Sequence, residues 1–140
     1  IETLVINKAY LYHSEEILKE LTKRHIDLIV LAGFLMLIPE YLVTRYPKKI
    51  INIHPALLPK YGGKGMYGHH VHEAVKAAGE KYSGMTIHYV NKNYDEGDII
   101  LQRKCRLAKK DSAEDIAKKV LKLEHRYYPV TIEKVLGDTE

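Results

Sequence analysis

Two polar side chains suited to catalysis, the amide of Asn52 and the imidazole of His54, stand two residues apart near the end of a predicted strand. Alternate residues of a strand point the same way, so these two project from one face while Ile51 and Ile53 project from the other. Pro55 then prevents the strand from continuing. An amide donates hydrogen bonds to a developing oxyanion, and an imidazole transfers protons near neutral pH. The pattern predicts a polar site at the end of this strand.

A second polar segment follows a later predicted strand, Met85 to Val90, which carries His88. The loop after it, residues 91–98, contains Asp95 in an Asp-Glu-Gly sequence. A carboxylate beside His54 would favour the imidazolium and raise its pKa, and this loop carries carboxylates that could make such a contact. Taken alone, the same residues also fit a turn-capping asparagine, a core histidine and an ordinary turn aspartate.

The elements that must position these residues alternate along the chain. Ser14 is predicted to cap a helix that contains Ile17, Leu18 and Leu21. Residues 27–32 read as a strand buried on both faces, Pro39 begins a short helix through Arg45, and residues 49–54 form the next strand.

The second half of the chain continues the alternation. Residues 69–78 predict a helix ended by Gly79, residues 85–90 and 98–106 predict strands, and a long helix begins at Asp111 and Ser112. Pro129 is expected to bend or restart that helix. We therefore predict an open, mostly parallel α/β sheet flanked by helices, in which the closely linked later strands leave room for an antiparallel piece.

Composition limits the class of protein. A chain of 140 residues, 46% of them hydrophobic, predicts one domain, residues 1–140. The apolar run Leu28 to Ile38, 11 residues long, is too short to span a membrane. The net charge of +4 is spread among acids, which favours small anionic ligands over nucleic acid. The single Cys105 excludes an internal disulfide and suits a reducing cytoplasm.

Motifs spread over most of the chain resemble one family, the formyltetrahydrofolate-dependent formyltransferases. They are Leu31-Ala32-Gly33-Phe34, Asn52-Ile53-His54-Pro55 with Leu57-Leu58-Pro59-Lys60-Tyr61, Gly84 to Val90 with Asp95-Glu96-Gly97, and Glu124-His125 with Tyr128-Pro129. The resemblance implies a Rossmann-like sheet. It is strongest to members that move a formyl group from 10-formyltetrahydrofolate to the amine of glycinamide ribonucleotide in purine biosynthesis.

The resemblance also assigns roles to individual residues. Asn52, His54 and Asp95 correspond to the catalytic set, and Glu124 and His88 to substrate-binding positions. The folate pocket corresponds to Leu35, Met36, Leu37, Ile38, Asn52, Asn91, Lys92, Asn93, Tyr94 and Asp95, although Met36 stands where the family frequently has arginine. Partners are then two small molecules, without nucleic acid, membrane or metal, and the assembly is expected to be a monomer or homodimer.

Family members begin with a strand and a glycine-rich phosphate loop, and nothing before Ile29 has that form. The resemblance therefore predicts that residues 1–140 correspond to the C-terminal two-thirds of the family domain. Two alternatives remain: another folate formyl enzyme, such as formyltetrahydrofolate hydrolase or methionyl-tRNA formyltransferase, and a fragment that binds folate without turnover.

The segment from Tyr61 to His72 is rich in glycine and histidine, which is typical of a loop that orders on binding. His69, His70 and His72 suggest a metal site at first sight. No cysteine joins them, and adjacent histidines on a helix are expected to point in different directions, so no metal site is predicted here.

Overall fold

The computed structural model describes residues 1–138, which form five helices and four strands within that range. In chain order these are α1 Lys8–Tyr12, α2 Glu16–Lys23, β1 Ile29–Leu31, α3 Glu40–Arg45, β2 Ile50–His54, α4 His69–Ala77, β3 Tyr82–Tyr89, β4 Ile99–Arg106 and α5 Ala113–Asp138. The predicted alternation of helices and strands is confirmed from α2 onward. The apolar residues 4–6 belong to no helix or strand.

The four strands form one open sheet in the order β1-β2-β3-β4. β1 and β2 are parallel, whereas β2 with β3 and β3 with β4 are antiparallel. The open α/β sheet is thus as expected, but the predicted predominance of parallel strands is corrected to a mixed sheet. The short connection between β3 and β4 explains one antiparallel pair, because a parallel pair needs a much longer crossover.

Helices cover both faces of the sheet because neighbouring strand residues point in opposite directions. Ile51 packs in a core cluster with residues of β3 and α5, including Ile87 and Ile116. Its neighbour Ile50 packs in a second cluster with Leu11 of α1 and Leu42 of α3. The polar ends of the strands are therefore held between two packed layers.

Strand β1 is shorter and more exposed than the sequence suggested. It comprises Ile29–Leu31, and Val30 is 37% exposed, so burial on both faces is corrected. Val30 is in register with Ile51, but α5 packs chiefly on β3 and β4 and leaves this position uncovered.

Two predicted helix boundaries also change. Ser14 does not cap α2, since its hydroxyl donates to the carbonyl of Tyr10 in α1 and Glu15 occupies the cap. α5 runs through Pro129 without restarting, and the hydroxyl of Tyr128 anchors it by donating to the carbonyl of Leu31 at 2.7 Å. The start of α5 is a reciprocal cap between Ser112 and Asp115.

No helix within residues 1–138 is long and apolar enough to cross a membrane.

The segment that follows β2 is held in place by the buried hydroxyl of Thr86 on β3. This oxygen donates to the carbonyl of Ala56 at 2.7 Å and accepts from the backbone N–H of Leu58 at 3.1 Å. It also accepts from the amide of Gln102 on β4 at 2.9 Å. One hydroxyl therefore ties the proline-rich loop to two strands.

Replacing Thr86 with valine keeps the shape and removes these hydrogen bonds. We expect the free energy of unfolding to fall by about 1–3 kcal/mol, because buried backbone groups at Ala56 and Leu58 lose their partner. Urea unfolding followed by circular dichroism measures this loss. The matched control, Thr44→Val at an exposed position of α3, is expected to change stability by less than about 0.5 kcal/mol. Equal effects of the two substitutions would contradict the anchoring role.

Candidate active site

The structure brings Asn52, His54, His88 and Asp95 together where β2, β3 and the loop after β3 meet. One oxygen of Asp95, Oδ1, lies 3.6 Å from Nδ1 of His54 and 3.6 Å from Nε2 of His88. Its other oxygen, Oδ2, accepts the backbone N–H of Gly63 at 2.9 Å. A single carboxylate therefore faces two imidazoles and one backbone donor.

The proton on neutral His54 can be assigned from its neighbours. Nε2 lies 2.7 Å from the carbonyl oxygen of Tyr61, which can only accept, so Nε2 carries the hydrogen. Nδ1 is then the proton-accepting nitrogen and faces Asp95. The separation of 3.6 Å is an ion-pair distance and is too long for a direct hydrogen bond.

Burial lowers the pKa of His54 below its ordinary value, and His88 acts in the same direction. Asp95 and the carbonyl of Tyr61 raise this pKa, but by less than burial lowers it. The expectation that the carboxylate would leave the His54 pKa raised is therefore corrected. His54 is 4% exposed, and the loss of hydration outweighs a partner 3.6 Å away.

Asp95 itself is held as a carboxylate. Burial acts to raise its pKa, but the nearby imidazoles of His88 and His54 and the hydrogen bond from the backbone N–H of Gly63 oppose that effect and leave the pKa lowered. The backbone of Asp95 has a φ of 52°, a left-handed conformation that aspartate tolerates better than most residues. A Cβ at Gly62 would lie 2.6 Å from the side chain of Leu58 and 3.3 Å from the Cβ of Asp95, so the absence of a side chain at Gly62 favours this close approach.

Asn52 and His88 form the second half of the cluster. Nδ1 of His88 donates to the carbonyl of Tyr89 at 2.9 Å, which leaves Nε2 of the neutral ring as an acceptor. The amide nitrogen of Asn52 lies 3.4 Å from that Nε2. Because the amide has two hydrogens, one remains for a ligand oxygen.

A cavity of about 940 Å³ opens over this cluster. Its lining includes these residues predicted for catalysis, folate and substrate binding: Leu35, Met36, Leu37, Ile38, Asn52, His54, His88, Asn93, Tyr94, Asp95 and Glu124. Two other predicted folate residues, Asn91 and Lys92, do not line it. Asn91 instead accepts the backbone N–H of Asn93 and shapes the loop, and Lys92 is exposed.

Glu124 lies on the cavity wall formed by α5. It makes no ion pair with Lys118 or Lys119 among the described residues, and Lys119 instead pairs with Asp111. Burial raises the pKa of Glu124, although His125 opposes that shift. A partly buried carboxyl group without a cationic partner at a cavity wall is available to bind hydroxyl groups of a ligand.

Sequence reasoning missed several lining residues, among them Lys64, Tyr67, His72, Glu73 and Lys118. His72 is 8% exposed, and its Nδ1 is buried without a hydrogen-bond partner. His72 lies three residues after the start of α4. The sequence indicated its burial only weakly, because burial of that helix face depends on how α4 packs against the rest of the protein. The expected divergence of His69 and His70 is also corrected, because their ring centroids lie 4.2 Å apart.

An open α/β sheet that presents an amide, imidazoles and a carboxylate at its strand ends, beside a cavity of this size, has the form of a small-molecule enzyme site. The comparison with protein families is more specific. The model described as formyl transferase matches residues 6–132. The chain belongs to this family.

Individual relatives agree with that assignment. The chloroplastic phosphoribosylglycinamide formyltransferase of Arabidopsis thaliana is 51% identical over 113 residues, which cover 81% of this chain and 39% of that protein. The crystal structure of phosphoribosylglycinamide formyltransferase from Bacillus halodurans has a TM-score of 0.83 and 34% identity, and covers 97% of this chain and 70% of that one. The present chain thus spans less than half the length of the Arabidopsis relative.

A solved formyltetrahydrofolate deformylase from Pseudomonas syringae has the same fold, with a TM-score of 0.78 and 28% identity. The similarity covers 88% of this chain and 40% of that one. The fold is therefore shared by proteins named as formyltransferases and by one named as a deformylase.

The two buried histidines make stability depend on pH. Burial lowers the pKa of both His54 and His72 below the ordinary value of 6.5, and for His72 the nearby His54 adds to this effect. Their neutral forms favour folding, so this stability is complete above pH 6.5 and is lost as the pH falls below it. We expect His72→Leu to reduce the fall in melting temperature between pH 7.5 and 5.

Differential scanning fluorimetry across this pH range measures the effect. The control is His25→Asn, which replaces an exposed histidine and keeps a residue that tolerates the φ of 54° found there. The explanation fails if His25→Asn flattens the pH dependence as much as His72→Leu does.

Proposed function

We propose that this chain transfers a formyl group from 10-formyltetrahydrofolate to the amine of glycinamide ribonucleotide, as the names of its relatives indicate for their reaction. The observation that carries the proposal is the buried cluster of Asn52, His54 and Asp95 on the wall of the cavity. Both partners are small molecules. The cytoplasm is the proposed location, although the Arabidopsis relative is named as chloroplastic.

The reaction requires proton transfer and stabilisation of negative charge. The substrate amine attacks the formyl carbon, a C–N bond forms, and the carbonyl oxygen becomes an oxyanion. The bond from that carbon to N10 of the folate then breaks, and the proton lost by the amine is delivered to N10. No protein nucleophile takes part, which agrees with the cavity lining, where no serine or cysteine occurs among the described residues.

His54 is suited to move the proton. At neutral pH its lowered pKa keeps the ring neutral, with Nδ1 free to accept. Asp95 stands 3.6 Å from this nitrogen and stabilises the imidazolium that forms. That separation also leaves room for ligand binding to tighten the contact, or for a water to bridge the two groups.

Asn52 is placed to bind the oxyanion. Its amide nitrogen is 3.4 Å from His88, which orients it, and one N–H remains for the substrate oxygen. The neighbouring His88 is held in turn by the carbonyl of Tyr89. We propose that His88 positions Asn52 and Asp95, and that Glu124 binds hydroxyl groups of the ribose.

The cavity suits a folate. Its volume of about 940 Å³ is within the range of pockets that hold drug-sized ligands. Leu35, Leu37 and Ile38 line one wall with apolar surface, and Asn93 and Tyr94 add polar groups from the loop after β3. These residues would hold the pterin ring. Met36, which stands where the family frequently has arginine, would contribute main-chain rather than ionic contacts.

Formyl transfer is tested with 10-formyltetrahydrofolate and glycinamide ribonucleotide, by following the release of tetrahydrofolate. We expect His54→Ala and Asp95→Asn each to lower kcat/KM by about 100-fold or more, because each removes part of the proton-transfer pair. Glu96→Gln is the matched control for Asp95→Asn, since it removes a charge at the next residue, which is exposed and does not line the cavity.

The same experiment separates the alternatives. Release of formate that does not depend on the amine substrate would select the hydrolase, which the deformylase structure keeps as the second candidate. Folate binding without transfer or hydrolysis, measured by isothermal titration calorimetry, would select a binding function. Transfer that is unchanged in both His54→Ala and Asp95→Asn would refute the assigned site.

The pH dependence of the rate tests the state of His54. If the neutral ring accepts a proton, kcat/KM rises with pH as His54 deprotonates, and the midpoint lies below the ordinary histidine pKa of 6.5 because burial lowers this pKa. Asp95→Asn removes a group that raises the His54 pKa, so the midpoint is expected to fall further. NMR titration of the His54 ring measures that second shift without requiring activity. A His54 midpoint above 6.5 would contradict the assignment.

A further inference from the structure

Three side chains at the start of α4 lie close enough to share one ion. His69, His70 and Glu73 each present a ligand atom, and these atoms lie within 4.8 Å of one another. We propose that they form a binding site for a divalent transition-metal ion of the zinc class. This site is separate from the proton-transfer cluster and does not depend on the proposed function.

The helix explains why the three side chains converge. Glu73 is four residues after His69 and three after His70, and both spacings place side chains on neighbouring positions of a helix surface. The two imidazole rings are 4.2 Å apart and inclined by 38°. The ring of Tyr67 meets His70 edge-on at 5.5 Å and restricts its orientation.

The donor set selects the kind of ion. Two imidazole nitrogens and one carboxylate oxygen suit Zn²⁺, Ni²⁺ or Cu²⁺, whereas Mg²⁺ and Ca²⁺ prefer sites made of oxygen alone. Zinc binds nitrogen and oxygen ligands at about 2.0–2.2 Å, so small side-chain rotations must bring the three groups together. All three residues are exposed, which favours such rotations, and Tyr67 is the ring that contacts His70 edge-on.

The ion would lie at the rim of the cavity. His69 and Glu73 line the cavity, whereas His70 does not. Three protein ligands leave a coordination position for water or for an anionic group. The proposed site directly follows the glycine-rich segment, in which Gly63, Gly65 and Gly68 have positive φ angles.

Isothermal titration calorimetry with ZnCl₂ at pH 7.5 tests the site directly and without catalysis. We expect one saturable site that excess Mg²⁺ does not displace. His69→Ala, His70→Ala and Glu73→Gln should each weaken Zn²⁺ binding by about tenfold or more, since even the loss of groups that only support a ligand costs that much. His25→Asn is the control, because it removes an exposed histidine outside the cluster.

Each outcome is informative. Loss of affinity in the three cluster variants, with normal binding in His25→Asn and unchanged circular dichroism throughout, supports the site. Absence of saturable binding overturns it, as does equal weakening by His25→Asn. Binding that survives His69→Ala but disappears in His72→Leu would place the metal inside the cavity and also overturn the proposal.

Discussion

The buried charge of Asp95 is the constraint on which the site depends. Removing a carboxylate from water costs several kcal/mol unless other groups compensate. Here one carboxylate oxygen accepts the backbone N–H of Gly63, and the other faces the imidazoles of His54 at the end of β2 and His88 on β3, which stabilise the charge when they are protonated. These partners belong to three segments far apart in the sequence, so the charge is stable only when all three are in place.

The same burial sets the properties of His54. Its ring is almost fully enclosed, and the cost of carrying a charge there exceeds the attraction of a carboxylate 3.6 Å away. A neutral ring whose Nε2 is bonded to the carbonyl of Tyr61 presents Nδ1 toward Asp95. Desolvation and the fixed hydrogen bond therefore act together, because one selects the protonation state and the other selects the tautomer.

The floor and the rim of the cavity differ in construction. The floor consists of strand residues packed between two apolar layers and tied to the proline-rich loop by the hydroxyl of Thr86. The rim consists of exposed residues of the glycine-containing segment and of α4, including Lys64 and His69. Asn52, His54 and His88 are thus placed on strands of the sheet. Asp95 lies in the loop after β3 and is held by the backbone N–H of Gly63, whereas the rim residues meet the solvent.

Much of the local structure followed from the sequence. The pleat of β2 places Asn52 and His54 on one face, and the positions of α3, β2, α4 and β4 agree with prediction to within a few residues. The errors arose where contacts between distant segments decide. Val30 is exposed because α5 packs elsewhere, Ser14 bonds to the preceding helix rather than capping the next, and β2 pairs with β3 in the antiparallel sense.

The sequence by itself determined the family and the candidate catalytic residues, because those depend on residue types and spacings along short segments. Only the tertiary structure decided the direction of the His54 pKa shift, the burial of His72 and the approach of His69 to Glu73. The physical reason is that desolvation and electrostatic contact depend on what surrounds a side chain. Those surroundings come from segments that only folding brings together.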